Sequence, residues 1–200
     1  ERSLAALVLG GVDAVVFAVS PTTKAHVESI ECPVPKTVVP GGESRAQSVK
    51  RALEAVDSAE IVAIHDAARC MVSPDTVRQS IESARAYGSG VVAARVTDTI
   101  LLLDGERPVP LEREKLVRMQ TPQTFCFTEI KRAYEGDLSK TTDDCSVYLA
   151  AGYTPRFVFT QGETANQKLT TSEDWRLALA TYARFGTGFD THRLTEGRKL

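Results

Sequence analysis

An α/β fold is predicted for this 200-residue chain on three observations. Short valine-rich apolar runs recur at Val12–Val19, Ile61–Ile64 and Val91–Ala94, the pattern of strands covered on both faces, as in a parallel sheet flanked by helices. Amphipathic segments with helix-start residues lie between them, so strand and helix alternate through right-handed crossovers. Hydrophobic residues make up 42% and charged residues 25%, ordinary values for a chain long enough to bury its own core.

Taken in order, the first run is broken only by Asp13, and a second strand is predicted over Lys36–Val39. Ser44 and Gln47 have capping-box spacing ahead of Ala46, Val49, Leu53 and Val56, which recur at helical intervals. After Ile61–Ile64, Ser73 followed by Pro74 marks the next helix start, with Val77, Ile81 and Ala84 on one face. The rhythm then breaks. Asp104-Gly105-Glu106 follows the apolar run that starts at Thr99 and signals a hairpin. A hairpin inserted in an α/β domain projects as an arm, and arms commonly dimerise. Helical pattern returns at Thr128–Tyr134 and Asp143–Ala151, and a last strand is predicted over Arg156–Thr160. A helix then begins near Ser172, with Glu173 and Asp174 at its positive end, and closes at Phe185-Gly186. The tail from Gly186 to Leu200 belongs to nothing before it.

Charge and cysteine content exclude several classes. With 24 basic and 26 acidic residues the net charge is −2, which argues against a broad nucleic-acid footprint and for a small ligand or another protein surface. Cys32, Cys70, Cys126 and Cys145 are scattered without C-x-x-C spacing and read as reduced thiols of a cytosolic protein. The longest apolar stretch, Leu4–Val19, is too short for a membrane span and is broken by Gly10, Gly11 and Asp13. Glu1-Arg2 is a poor secretory leader and no initiator Met is present, so the chain reads as an excerpt.

Two loops stand where open α/β sheets bind ligands, beyond the carboxyl ends of strands. Gly41-Gly42-Glu43 either permits a turn or receives a ligand. Glu43 would repel a phosphate, whereas a nucleobase with an exocyclic amine donor, such as cytosine, suits the loop. His65-Asp66-Ala67-Ala68-Arg69 is either a solvated loop or part of a site, its two small alanines letting a ligand approach the backbone. His65 by itself reads as a hydrogen-bonded structural histidine. Lys168 and Arg113 are bland singly and become informative only as two phosphate-binding cations brought to one place.

Six segments occur in order: Gly-Gly-Glu-Ser-Arg-Ala-Gln-Ser-Val (41–49), Ile-His-Asp-Ala-Ala-Arg (64–69), Thr97-Asp98-Thr99, Gln120-Thr121-Pro122-Gln123, Thr142-Asp143-Asp144 and Asn166-Gln167-Lys168-Leu169-Thr170. Together they resemble the 2-C-methyl-D-erythritol 4-phosphate cytidylyltransferases of non-mevalonate isoprenoid synthesis, over nearly all of residues 1 to 185. Gly188-Phe189-Asp190-Thr191-His192 resembles the opening of the 2,4-cyclodiphosphate synthases of the same pathway, which in some bacteria are fused behind the transferase.

The resemblance implies a Rossmann-like three-layer nucleotidyltransferase sheet with an inserted hairpin dimerisation arm, a transferase domain over 1–185 and the start of a cyclase over 186–200. It implies transfer of a cytidylyl group from CTP to methylerythritol phosphate by a homodimer. The base would sit on Gly42, Glu43 and Ser48, the ribose beside Asp66-Ala67. The methylerythritol phosphate would be held by Asp66, Arg69, Thr99, Arg113, Thr121, Thr142 and Lys168, some of them from a partner subunit's arm, with Arg113 and Lys168 orienting the attacking phosphate. Mg2+ would be held mainly by triphosphate oxygens. Asp190 and His192 would be two ligands of the cyclase Zn2+, its third ligand being absent from these 200 residues. The family's first strand and glycine-rich loop, which carry a transition-state Arg and Lys, precede the part seen here, so the piece alone is expected to be inactive. Cys70 stands where a proline is usual, and the Phe159–Asn166 connection that leads to Lys168 is about two residues longer than in common members. The rival readings are a ribitol 5-phosphate cytidylyltransferase, against which the Gly-Phe-Asp-Thr-His tail argues, and a non-catalytic nucleotide-binding or dimerisation module.

Overall fold

A computed structural model describes residues 1–182 except 104, 106, 140 and 161–165, and leaves out the side chains of 181 and 182. Helix α1 (Arg2–Leu9) stops at Gly10, where a Cβ would lie 2.5 Å from Val77. Strand β1 covers Val15–Val19 rather than the whole run from Val12. Val12 is taken by the helix end, its N–H donating to Leu7 O at 3.1 Å, and packs in a core with Ala6, Val72, Val77 and Ile81. Helix α2 (Pro21–Ser29) leads to β2 (Lys36–Pro40), which pairs in parallel with β1 in the register Val15 to Lys36.

Helix α3 (Arg45–Glu54) and helix α4 (Pro74–Tyr87) begin at the predicted caps. Ser44 accepts from Gln47 N and Ser73 from Thr76 N, each at 3.1 Å. The Gln47 side chain departs from a full capping box, since it accepts from Glu43 N at 2.8 Å and so holds the residue before the cap. Helix α4 ends at Gly88, whose φ of 82° favours glycine.

The main sheet has the order β3 (Ile61–Ile64), β7 (Val117–Cys126), β4 (Ser89–Arg95), β8 (Phe157–Phe159). This sheet is mixed: β7 runs antiparallel to both β3 and β4, because the chain returns from an inserted hairpin and threads between them. That hairpin pairs β5 (Leu101–Leu102) with β6 (Val109–Pro110), and a short 3-10 turn (Arg113–Lys115) leads back into the sheet. Val91, Val92 and Ala93 are each 0% exposed. Consecutive strand residues face opposite ways, so both faces of the sheet are covered, as three layers require. Phe125 lies tilted against Tyr148, which stacks on Tyr153, in the larger core with Ile130, Tyr134 and Val147 from α5 (Phe127–Ala133), α6 (Asp144–Ala150) and the residues around them.

Residues Glu1–Leu169 form one compact unit and Thr170–Leu200 another. In the second, α7 (Ser172–Tyr182) has the acidic start expected of it: Asp174 accepts from the N–H groups of Thr170 and Thr171, both at 2.8 Å. Those bonds, that from Thr170 first, bring its carboxyl down to about 2. Among the described residues no helix is long and apolar enough to cross a membrane.

Candidate active site

Strand β3 delivers residues 65–69 at its carboxyl end, and a turn closed by Arg69 N to Asp66 O at 2.8 Å folds them over the sheet edge. Three segments hold this loop. Ser3 donates to Ala67 O at 3.0 Å, Leu169 N to Ala68 O at 2.9 Å, and Asp66 N to Thr121 Oγ1 at 3.0 Å. Arg69 donates to Asn166 O at 2.8 Å and to Met119 O at 3.3 Å, tying the segment that carries Lys168 to β7.

Asp66 is the centre of a charged cluster. Its Oδ1 lies 3.2 Å from Arg45 Nε, and its Oδ2 lies 3.1 Å from Lys168 Nζ and 3.9 Å from Arg69 Nε. Burial alone would raise the Asp66 carboxyl; the charge of Arg45 and the hydrogen bond from Lys168 outweigh it and hold the group below the ordinary aspartate value. Arg45 Nη2 also reaches Asp144 Oδ2 at 2.6 Å, and Asp144 is fully buried. Three cations against two carboxylates leave the cluster with one positive charge, which suits an anionic ligand.

His65 is structural, as expected. Its Nδ1 lies 3.0 Å from Thr121 Oγ1, and burial lowers its pKa to about 4, so the ring is neutral at physiological pH. Thr121 is 3% exposed, with its hydroxyl engaged by both His65 and Asp66 N.

The glycine loop is built onto α3. Gly42 N donates to Ser48 Oγ at 2.9 Å, and Arg51 donates to Gly41 O at 2.6 Å. A Cβ on Gly42 would lie 2.3 Å from Gln47 Cβ, so the close approach of loop and helix requires glycine. Arg45, Ser48, Asp66 and Ala67 line a cavity of about 580 Å³ whose remaining wall is largely apolar and comes from α1, β1, α3 and β3. A second cavity of about 590 Å³, between Arg132 and Tyr153, contains none of the expected site residues.

Gly42 is bonded to Ser48, Ser48 lines one cavity with Asp66 and Ala67, and Asp66 meets Arg69, Thr121 and Lys168 directly, while Glu43 is held by Gln47. Thr142 stands directly before Asp143, the N-cap of α6, and its N–H donates to Ser146 Oγ at 3.0 Å. Thr99 and Arg113 belong to the arm. Arg113 donates to Thr97 O at 2.9 Å and pairs with Glu114, not with the Asp66 cluster of its own chain. Asp190 and His192 lie outside the described residues. Arg45, Asp144, Tyr134 and Asn166 are the participants that sequence reasoning missed; all but Tyr134 stood inside quoted motifs without a role.

A family model of 2-C-methyl-D-erythritol 4-phosphate cytidylyltransferase (IspD) matches residues 1–184. The chain belongs to the IspD family. A bifunctional IspD/IspF enzyme of Bradyrhizobium sp. (strain ORS 278) is 40% identical over 171 residues, which are 78% of this chain and 43% of that protein. This IspD-family chain spans about half the length of the curated relatives it matches. The solved 4-diphosphocytidyl-2C-methyl-D-erythritol synthase of Anaerococcus prevotii DSM 20548 shares the fold, with a TM-score of 0.81 at 24% identity over 92% of this chain and 88% of its own. The bifunctional IspDF of Campylobacter jejuni is 32% identical with a TM-score of 0.64, over 82% of this chain and 40% of its own. The Rossmann-like nucleotidyltransferase architecture expected for the IspD family is therefore the one observed.

Proposed function

We propose that this IspD-family domain transfers a cytidylyl group from CTP to 2-C-methyl-D-erythritol 4-phosphate, releasing pyrophosphate. The observation that carries the reading is the net-positive Asp66 cluster standing at the end of β3, its Arg45 three residues beyond a loop whose Gly42 leaves no room for a Cβ. A phosphate-monoester oxygen of the acceptor attacks the α-phosphorus, the bond to the β-phosphate oxygen breaks, and pyrophosphate carries away the electron pair. Two polyanions must meet, so positioning and positive charge supply most of the acceleration.

In this reading Gly42, Glu43 and Ser48 bind the cytosine and Asp66-Ala67 meets the ribose. Asp66, Arg69, Thr99, Thr121 and Thr142 hold the polyol phosphate, and Lys168 with Arg113 from a partner's arm orients the attacking phosphate. The exposed Leu101, Leu102, Leu103 and Val109 support a homodimer through the arm. Mg2+ would enter with the triphosphate; the described residues hold no cluster of three His, Cys, Asp or Glu side chains fitted to a metal, and Asp66 is engaged by cations. Residues 1–185 form the transferase part and 186–200 the start of a cyclase whose Zn2+ ligands include Asp190 and His192. Four unpaired cysteines support a cytosolic setting.

Pyrophosphate release by the complete gene product tests this directly. Turnover is expected with CTP and methylerythritol phosphate, and far less with ribitol 5-phosphate. Preference for ribitol 5-phosphate, or CTP binding without turnover, would replace the reading with one of its two rivals.

A further inference from the structure

Arg45, the first residue of α3, reaches away from its own helix to carboxylates on two other segments. Asp144, the farther one, is fully buried, and its second oxygen accepts from the Tyr134 hydroxyl at 2.5 Å. The nearer one, Asp66, holds Lys168 with its other oxygen. A continuous chain of contacts, Tyr134–Asp144–Arg45–Asp66–Lys168, therefore joins five segments, its Arg45–Asp144 link spanning 99 positions.

We infer that Arg45 is a positioning residue for the acceptor substrate: its guanidinium clamps the Asp66 carboxylate and, through Asp144, the start of α6 beside Thr142, in one frame. The inference rests on the function proposed above. A planar fork of N–H donors can serve two carboxylates at once, which a lysine ammonium on a flexible stem does poorly. Buried ion pairs are costly, and apolar replacements often match them in stability, so this one is better explained by the geometry it imposes. The clamp is also selective. The glycine loop hangs from α3 through Ser48, Gln47 and the Ser44 cap, none of which uses the Arg45 side chain.

The test is made in the complete gene product with Arg45→Gln and with the double variant Arg45→Gln/Asp144→Asn. The single change strands a buried carboxylate and destabilises the fold; the double removes both charges and should recover most of the melting temperature. In the double variant KM for methylerythritol phosphate is expected to rise about tenfold, and KM for CTP, which meets Asp66-Ala67 only at the ribose, by about threefold or less, the split that lost positioning chiefly of one substrate produces. The Asp66 carboxyl, followed by carbon-13 NMR with Asp66→Asn for assignment, should titrate at higher pH. It loses one of three facing cations, keeping Lys168 and Arg69 beside a neutral His65. An unmoved titration, or equal increases in both KM values, would overturn the inference. The titration needs no substrate. If the wild-type protein transfers no cytidylyl group, the proposed function fails, while the titration still upholds or refutes the clamp.

Discussion

Tyr134→Phe removes one oxygen from a side chain that is 2% exposed and leaves its ring in place, so the change opens almost no cavity. What is lost is the hydroxyl hydrogen bond to Asp144 Oδ1, a carboxylate out of reach of water whose other oxygen is held by Arg45. Hydrogen bonds to charged groups contribute about 1.5–3 kcal/mol, so near neutral pH the variant should lose about 2 kcal/mol in urea denaturation. The sign of its pH dependence follows from burial. Burial raises the Asp144 carboxyl above its ordinary value, with the Arg45 and Tyr134 bonds pulling against it. The native group keeps its proton to higher pH than the unfolded chain, and between the two values stability falls as pH rises. Losing the hydroxyl raises the native value further. The deficit of Tyr134→Phe is therefore full where Asp144 is ionised and shrinks in acid toward the roughly 1 kcal/mol of a neutral bond. A deficit below about 0.5 kcal/mol, within the range of ordinary surface changes, or one that grows in acid, would refute the reasoning.

Three further outcomes are expected. Gly42→Ala would drive a methyl group into Gln47 and push the loop off α3, so KM for CTP should rise about tenfold with KM for methylerythritol phosphate little changed, measured by steady-state pyrophosphate release. Gly90→Ala would place Cβ 2.0 Å from Ser80 O, where α4 crosses β4, and should cost at least about 3 kcal/mol in urea denaturation, since backbone and not a flexible side chain must move. Arg113→Ala should remove most turnover, about a hundredfold, while CTP binding by calorimetry stays near wild type.

Legibility followed the range of the interactions. Local signals sufficed for Ser44 and Ser73, whose caps lie three residues from the N–H groups they satisfy, and for Ile61–Ile64, whose carboxyl end pointed to residues 65–69. Strand β7 was harder to read because its interior is polar. Gln120, Thr121, Gln123 and Thr124 are buried, yet they look like loop residues until their partners are seen. Gln123 accepts from Cys145 N and donates to Asp143, and Thr124 meets Ser80. Arg45 and Asp144 lie 99 positions apart and pair only after α3 and α6 reach the same end of the sheet. No periodicity or spacing rule connects them. Arg69, read as a substrate residue, also braces the Asn166 segment against β7, a contact that no local signal announces.

The central claim is that one working site draws Lys168 from one copy of the chain and Arg113 from another. Mixing Lys168→Ala and Arg113→Ala proteins, each inactive alone, and letting subunits exchange tests it. Half the dimers would then be mixed, and each would rebuild one of two sites, so about a quarter of wild-type turnover should return. If no activity returns although mixed dimers form, the two cations do not meet at one phosphate.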